Sequence, residues 1–273
     1  MTIAGSLKKL FLNQKIDVNV KELSWSGQGT SLKPFKIVQI SDLHINDWNI
    51  ELIDRSIEVV NSLKPDLIVV TGDVICYGQK FIPDIIKFFN RLNASIGKYA
   101  CLGNHDHSDG EDGKRIIAAY NRSDFRILVN ESEIIKINGM DLHIAGADDF
   151  ELGEQDIKKT VKKVPGNEKL ILLVHNPINF RELVKYCPDL VLAGHTHGGQ
   201  FSLPLWKYFY NMFSEIEFLA GMYQQDDSLL YVNRGLGTAL FSPVIFNKKY
   251  HIKTPRINSN PEITVFTIKP EQT

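Results

Sequence analysis

Cys101-Leu102-Gly103-Asn104-His105-Asp106 decides the reading of this chain. Two apolar residues run into a glycine, and an amide, an imidazole and a carboxylate follow in consecutive positions. The pattern reads as a buried strand, Tyr99 to Leu102, ending in a loop that carries ligand and proton-transfer groups. Alone, Asn-His-Asp could equally be a polar turn. Its weight comes from four other apolar runs that end in the same way.

Phe35 to Ile40 leads into Ser41-Asp42-Leu43-His44, and Leu67 to Val70 leads into Thr71-Gly72-Asp73. Leu170 to Val174 ends at His175-Asn176-Pro177, and Leu190 to Ala193 ends at Gly194-His195-Thr196-His197-Gly198-Gly199. Between the first two strands, Ile50, Ile53, Ile57, Val60 and Leu63 recur at helical spacing, and Pro65 stops the helix. This is a βαβ unit whose strands read as continuous apolar runs, as a doubly covered parallel sheet requires.

Further helices are expected over Asp84–Leu92 and Gly113–Tyr120, and a basic, solvated one over Gln155–Val164. A meander is expected at Arg126–Val129, Ile134–Ile137 and Leu142–Ala145, with late strands at Leu229–Val232 and Ile263–Ile268. No internal repeat or long linker interrupts the 273 residues, so a single domain, 1–273, is the simplest organisation. Within it, 1–33 reads as an N-terminal arm or edge segment, 200–227 as an aromatic cap-like insertion and 247–261 as a surface insertion.

Composition bounds the function. Hydrophobic residues make up 43% and charged residues 23%, which supports a substantial core. A formal charge of −1 gives no footing to a nucleic acid partner, and none is expected. Cys76, Cys101 and Cys187 are an odd number without metal-type spacing and read as reduced thiols of an intracellular protein. The first residues hold no long apolar run, so neither a signal peptide nor a membrane span is expected. Ser6 to Ile16 is weakly amphipathic and basic: a surface helix or frayed arm, with membrane-surface contact as the alternative.

In α/β sheets, functional loops lie beyond the carboxyl ends of the strands. Five of the eight histidines fall in these five loops. Asp42, His44, Asp73, Asn104, His175, His195 and His197 form a nitrogen and oxygen donor set without thiolate. That set suits manganese, iron or zinc rather than an all-oxygen cage. Seven donors exceed what one ion with an open position uses. Two ions about 3.5–4 Å apart, sharing a carboxylate, fit the count and the in-line displacement at phosphorus that such pairs support.

Asp-x-His, Gly-Asp, Gly-Asn-His-Asp, a lone His and Gly-His-x-His, in this order, resemble the calcineurin-like metallophosphoesterase superfamily. The resemblance implies a four-layer αββα sandwich of two mixed sheets and a centre of two divalent ions, manganese first, with iron or zinc as alternatives. It implies one ion held by Asp42, His44, Asp73 and His197, and a second by Asp73, Asn104, His175 and His195. His105 then corresponds to the histidine that stabilises the phosphoryl transition state or protonates the leaving oxygen, with Asp106 orienting it.

Gly194 to Gln200, Tyr231 to Thr238 (Tyr-Val-Asn-Arg-Gly-Leu-Gly-Thr) and Pro261 to Thr264 are similar to the YkuE-like branch of that superfamily. That branch is in turn similar to enzymes cleaving UDP-2,3-diacylglucosamine in lipid A synthesis. The implied substrate is a phosphodiester or pyrophosphate, lipid-linked, acted on by a cytoplasmic protein with peripheral contact to the inner face of the membrane. Rival readings are a phosphodiesterase for cyclic nucleotides or small phosphate esters, and a non-catalytic scaffold of the same fold. The scaffold is disfavoured because no motif residue is missing.

Some residues have two readings. Arg234, in a glycine-rich loop, either grips a phosphate or forms a structural ion pair. Asp148 and Asp149 either back the site or make an Asp-rich turn. His107, His143 and His251 match no ligand position. Leu203 to Phe213, with Trp206 and Phe209, is either core or an apolar wall for acyl chains beside the ions.

Overall fold

The computed structural model describes residues 14–25, 33–76, 79–107, 113–200, 217–238 and 256–271, and the backbone of four two-residue strands between 240 and 253. In chain order come β1 (Asp17–Trp25), β2 (Phe35–Ile40), α1 (Ile50–Ser62), β3 (Leu67–Thr71), α2 (Ile82–Phe89), β4 (Gly97–Cys101), α3 (Lys114–Tyr120) and β5 (Arg126–Ile127). Then follow β6 (Glu131–Ile137), β7 (Met140–Gly146), α4 (Ile157–Thr160), β8 (Lys169–Leu173), α5 (Phe180–Leu183), β9 (Leu190–Ala193), β10 (Gly221–Gln225) and β11 (Ser228–Val232). The short β12 (Leu240–Phe241), β13 (Val244–Ile245), β14 (Lys248–Lys249) and β15 (Ile252–Lys253) precede β16 (Glu262–Pro270).

One sheet runs β1-β16-β2-β3-β4-β5, parallel throughout except at β16–β2. The other runs β10-β11-β9-β8-β7-β6, parallel from β11 to β7 and antiparallel at both margins. Strand alternation divides their residues between three apolar layers. Ile37, Leu67, Val69, Tyr99 and Cys101 pack between the sheets with Leu142, Ile144, Ile171, Leu173 and Leu192. Val38, Ile40, Ile68, Val70 and Ala100 face Ile53, Ile57, Phe88, Phe89 and Tyr120 of the helices on one outer side. Leu170, Leu172 and Val191 meet Phe180 and Leu183 on the other. The result is the four-layer αββα sandwich expected. A one-residue slip in any strand would exchange its layers, so burial on both faces pins the register.

Helix α1 shows how local sequence reaches the site. Leu52, Ile53, Ile57 and Val60 form its buried stripe, and the chain leaves it through Lys64 at φ 51 and Pro65. At its start, the Asn49 amide donates to the Leu43 and His44 carbonyls at 2.9 and 3.1 Å, tying the helix to the Asp-x-His loop. The buried Gln39 amide donates to the Ala193 carbonyl at 2.9 Å, so the carboxyl ends of β2 and β9 meet across the two sheets.

Two expectations need correction, and the edge segment gains a definite form: Asp17–Trp25 is a full edge strand, parallel to β16. Its two valines, Val18 and Val20, face solvent while Asn19 and Lys21 point inward, so the alternation advertises the wrong face. Gly221–Gln225, placed in the cap-like insertion, is the edge strand β10 of the second sheet. The basic helix is only the turn α4, capped by the Asp156 carboxylate accepting from the Lys159 amide at 2.9 Å. Trp206, Phe209 and most of the N-terminal arm lie outside the described residues. Among the described residues, no helix is long and apolar enough to cross a membrane.

Candidate metal centre

Each expected ligand sits two to four residues past a strand, and the loops are bound to one another through their backbones. Asp42 N–H donates to the Gly72 carbonyl and His44 N–H to the Asp73 carbonyl, both at 3.0 Å; Gly194 N–H donates to the His175 carbonyl at 2.9 Å. Two glycines make the approach close enough. A Cβ on Gly103 would lie 2.3 Å from Asp73 Oδ1, and one on Gly194 would lie 2.0 Å from Ser41 Oγ. Asp42, His44, Asp73, His195 and His197 all take the left-handed region, with φ of 47, 41, 54, 72 and 52°. Such backbones cost on the order of 1 kcal/mol or more each and persist where surrounding structure over-determines them.

The side chains converge on two points. At the first, His44 Nε2 and His197 Nε2 are 3.0 Å apart, His197 Nε2 is 3.4 Å from Asp42 Oδ1, and His44 Nε2 is 3.6 Å from Asp73 Oδ2. At the second, His175 Nε2 lies 3.2 Å from the same Asp73 Oδ2, 3.1 Å from Asn104 Oδ1 and 3.2 Å from His195 Nδ1. Ions with bonds of ~2.0–2.2 Å set neighbouring donor atoms roughly 3.0–3.6 Å apart. The observed spacings therefore fit two ions sharing one oxygen of Asp73. Asp42, His44 and His197, and Asp42, Asp73 and His175, are convergent donor groups in their own right.

The far nitrogens fix how the rings face. His44 Nδ1 donates to the Ile75 carbonyl at 3.3 Å and His175 Nδ1 to the Thr71 carbonyl at 2.8 Å, which leaves each Nε2 lone pair free for an ion. His195 turns Nε2 toward Glu151 Oε1 at 3.4 Å, and Asn176 Nδ2 steadies that carboxylate at 2.8 Å. Burial drives His44 down to about 3, so it stays neutral. Burial also opposes charge on His175, but the Asp73 carboxylate outweighs it and raises that imidazole well above its ordinary value.

His105 is half-buried, its ring edge-on to His44 with centroids 4.9 Å apart. Its Nδ1 faces the Cys76 carbonyl at 3.2 Å. Asp106 does something other than the expected orienting of that ring. Its Oδ2 accepts from the Gly103 and Asp73 amides, both at 2.9 Å, and its Oδ1 from the Val74 amide at 3.0 Å. Asp106 staples the Gly-Asp loop to the Gly-Asn-His-Asp loop, and a backbone carbonyl takes the place at His105 Nδ1. Burial, then the Asp73 charge, push Asp106 up to about 7 against those three donors.

Arg234 takes one of its two readings. Its Nε donates to Glu262 Oε2 at 2.5 Å and its Nη2 to Asp17 Oδ2 at 3.2 Å, so carboxylates of β16 and the edge strand β1 engage the guanidinium in the second of its two expected roles, a structural ion pair. His107 Nε2 pairs with Asp148 Oδ1 at 2.8 Å, which makes Asp148 an internal ion-pair partner. Three participants were missed. Glu151 follows the Asp pair but reveals nothing by spacing. Cys76 joins His44 and His105 in a further group whose donor atoms lie within 4.8 Å of one another. Arg256, inside the expected surface insertion, is buried against His197.

Comparison with known proteins follows this geometry. A sequence profile described as calcineurin-like phosphoesterase matches residues 35–199. The chain is 36% identical over 240 residues to the uncharacterized metallophosphoesterase YkuE of Bacillus subtilis, covering 86% of this chain and 79% of that protein. It is 29% identical to the UDP-2,3-diacylglucosamine pyrophosphatase LpxG of Chlamydia trachomatis, covering 81% and 84%. It is 27% identical to the phosphodiesterase YaeI of Escherichia coli, covering 86% and 82%. Among solved structures, TT1561 of Thermus thermophilus superposes with a TM-score of 0.51 at 14% identity, over 80% of this chain and 98% of that one. At that identity the likeness concerns the fold alone.

Proposed function

Because the chain belongs to the calcineurin-like phosphoesterase family and is a phosphoester hydrolase, we propose that it cleaves a phosphodiester or pyrophosphate bond in a lipid-linked nucleotide such as UDP-2,3-diacylglucosamine. In this reading Asp42, His44, Asp73 and His197 hold one divalent ion, and Asp73, Asn104, His175 and His195 a second, manganese in both places. The observation that carries it is the shared Asp73 Oδ2 at the meeting of two donor groups. When bound, such a pair supplies Lewis acidity and an activated water for in-line displacement at phosphorus.

The chain's own residues do the rest. The Asn104 amide and the paired loops fix the phosphoryl oxygens, and Asp106 holds those loops in register. His105 meets the leaving oxygen with Nε2, since Nδ1 is engaged by the Cys76 carbonyl. Exposed apolar residues near Glu151 and Asn176 in sequence support a lipid-linked substrate. Phe150, Leu152 and Ile178 are 46, 58 and 44% exposed. The first two flank Glu151, which reaches His195, and the third lies two residues past Asn176. Exposed apolar side chains next in sequence to residues that reach the donor groups suit an acyl-bearing substrate, presented at the inner face of a membrane.

The test is hydrolysis of UDP-2,3-diacylglucosamine with Mn2+, beside bis(p-nitrophenyl) phosphate, in wild type, His105→Ala and Phe150→Ser/Leu152→Ser. Turnover of the lipid far above the diester, lost in the first variant and selectively reduced in the second, supports the proposal. Hydrolysis of the diester alone would replace the lipid substrate with small phosphate esters and leave the two-ion reading in place.

A further inference from the structure

The two-ion reading uses no sulfur, yet a thiol stands beside its first donor group. Past β2 and β3 the two loops run on together: Ile45 N–H donates to the Val74 carbonyl at 3.1 Å, and Ile45 and Ile75 form an isolated parallel bridge. That pairing carries Cys76 alongside His44. His105 closes the group from the Gly-Asn-His-Asp loop, its Nδ1 facing the Cys76 carbonyl at 3.2 Å. Donor atoms of His44, Cys76 and His105 lie within 4.8 Å of one another. His44 is wholly buried and Cys76 is 5% exposed, while His105 is half open to solvent.

The chemistry of this group differs from that of the other two. The Ile75 and Cys76 carbonyls take the Nδ1 protons of His44 and His105, so each ring keeps its lone pair on Nε2. A thiolate with two imidazoles suits a thiophilic ion such as Zn2+ or Cd2+, whereas Mn2+ favours oxygen. Bonds of ~2.3 Å to sulfur and ~2.0 Å to nitrogen set donor atoms roughly 3.3–3.7 Å apart. The three side chains would therefore draw in by up to about an ångström around such an ion.

We propose that His44, Cys76 and His105 form a further, inhibitory ion site that takes thiophilic divalent cations. His44 belongs both to this point and to the first donor group, so the two are alternatives. An ion held here takes His44 from the first ion and His105 from the leaving oxygen. The inhibition rests on the two-ion reading above; the site itself does not. On binding, the S–H bond of Cys76 is exchanged for a sulfur–metal bond and the proton leaves to solvent.

The experiment adds Cd2+ to the full-length, Mn2+-loaded protein and follows two readouts. One is the sulfur-to-cadmium charge-transfer absorption in the near ultraviolet, the other hydrolysis of bis(p-nitrophenyl) phosphate. Wild type, Cys76→Ser and Cys187→Ser are compared, the last because that thiol is exposed, and each is read against its own activity before cadmium. Band and inhibition should rise together in wild type and Cys187→Ser. In Cys76→Ser the band should be lost and the half-inhibiting concentration raised at least ~10-fold. No band in wild type, a band that survives Cys76→Ser, or equal inhibition of both would overturn the proposal. If Cys76→Ser does not fold, the cadmium NMR resonance of Cys187→Ser decides, since Cys101 is packed between the sheets. A shift typical of sulfur ligation upholds the site, and one of nitrogen and oxygen ligation alone overturns it. Fewer than two Mn2+ per chain at the outset would overturn the two-ion reading instead, and the band by itself then decides this site.

Discussion

The two donor groups use the same chemistry but stand differently toward solvent. Asp42, His44 and His197 are 0, 0 and 4% exposed, and what backs them is interior: the Ile75 carbonyl and Arg256. Asn104 is only half-buried and the His195 side chain is 21% exposed, backed by Glu151 at 43%. Asp73 belongs to both. Burial of that kind separates retention from reaction: an ion at the first point would be enclosed by protein, whereas one at the second would have the partly exposed Asn104 and His195 among its ligands. The first group should hold its ion against a chelator longest, and the second should exchange ions and meet substrate.

The strongest way to break that asymmetry is Asp73→Asn, which removes the common oxygen. Both ions should be lost together, with hydrolysis of bis(p-nitrophenyl) phosphate reduced at least ~10³-fold, as measured by ion content and kcat/KM. Retention of one full equivalent would show that the two points are independent. His105→Ala should lower kcat roughly 10²–10⁴-fold while leaving two ions per chain, because in the proposed reading its ring serves the leaving oxygen and holds neither ion. Ion loss in that variant would move His105 into the ligand shell.

Glu151→Gln sharpens the comparison. It should weaken the second ion about 10-fold and spare the first, read by calorimetry with Mn2+, since it leaves His195 without its orienting carboxylate. The smallest effect concerns pH. The Asp148 partner outweighs burial to raise His107 above its ordinary 6.5, and the same bond with two backbone amides lowers Asp148 below 3.8. A raised imidazole stabilises fully below 6.5 and loses that contribution as pH rises through its folded value. A depressed carboxylate stabilises above 3.8 and loses it on acidification. The pair therefore contributes in full between these limits. His107→Asn should lower the melting temperature most at pH 5–6, and by a shrinking margin toward pH 9.

Much of this was legible in the chain because strand, turn and ligand are contiguous. Leu67–Val70 before Gly72-Asp73, or Leu190–Ala193 before Gly194-His195, states burial and donor type within six or seven residues. What stayed hidden depends on partners far away in sequence. Arg256 reaches His197 across 59 positions, and Glu262 takes Arg234 across 28. Asp106 sits beside His105, yet its oxygens serve amides at 73, 74 and 103, a choice set by how two loops meet. β1 escaped notice because Val18 and Val20 face water, so its alternation contradicts its burial.

The left-handed backbones of Asp42, His44, Asp73, His195 and His197 carry a consequence for the order of events when this protein is made. No short unfolded stretch holds those angles by itself; they follow from the sandwich closing around the loops. An unfolded chain therefore offers a cation no preformed cradle, and any ion bound to these loops favours the closed sandwich over the open chain.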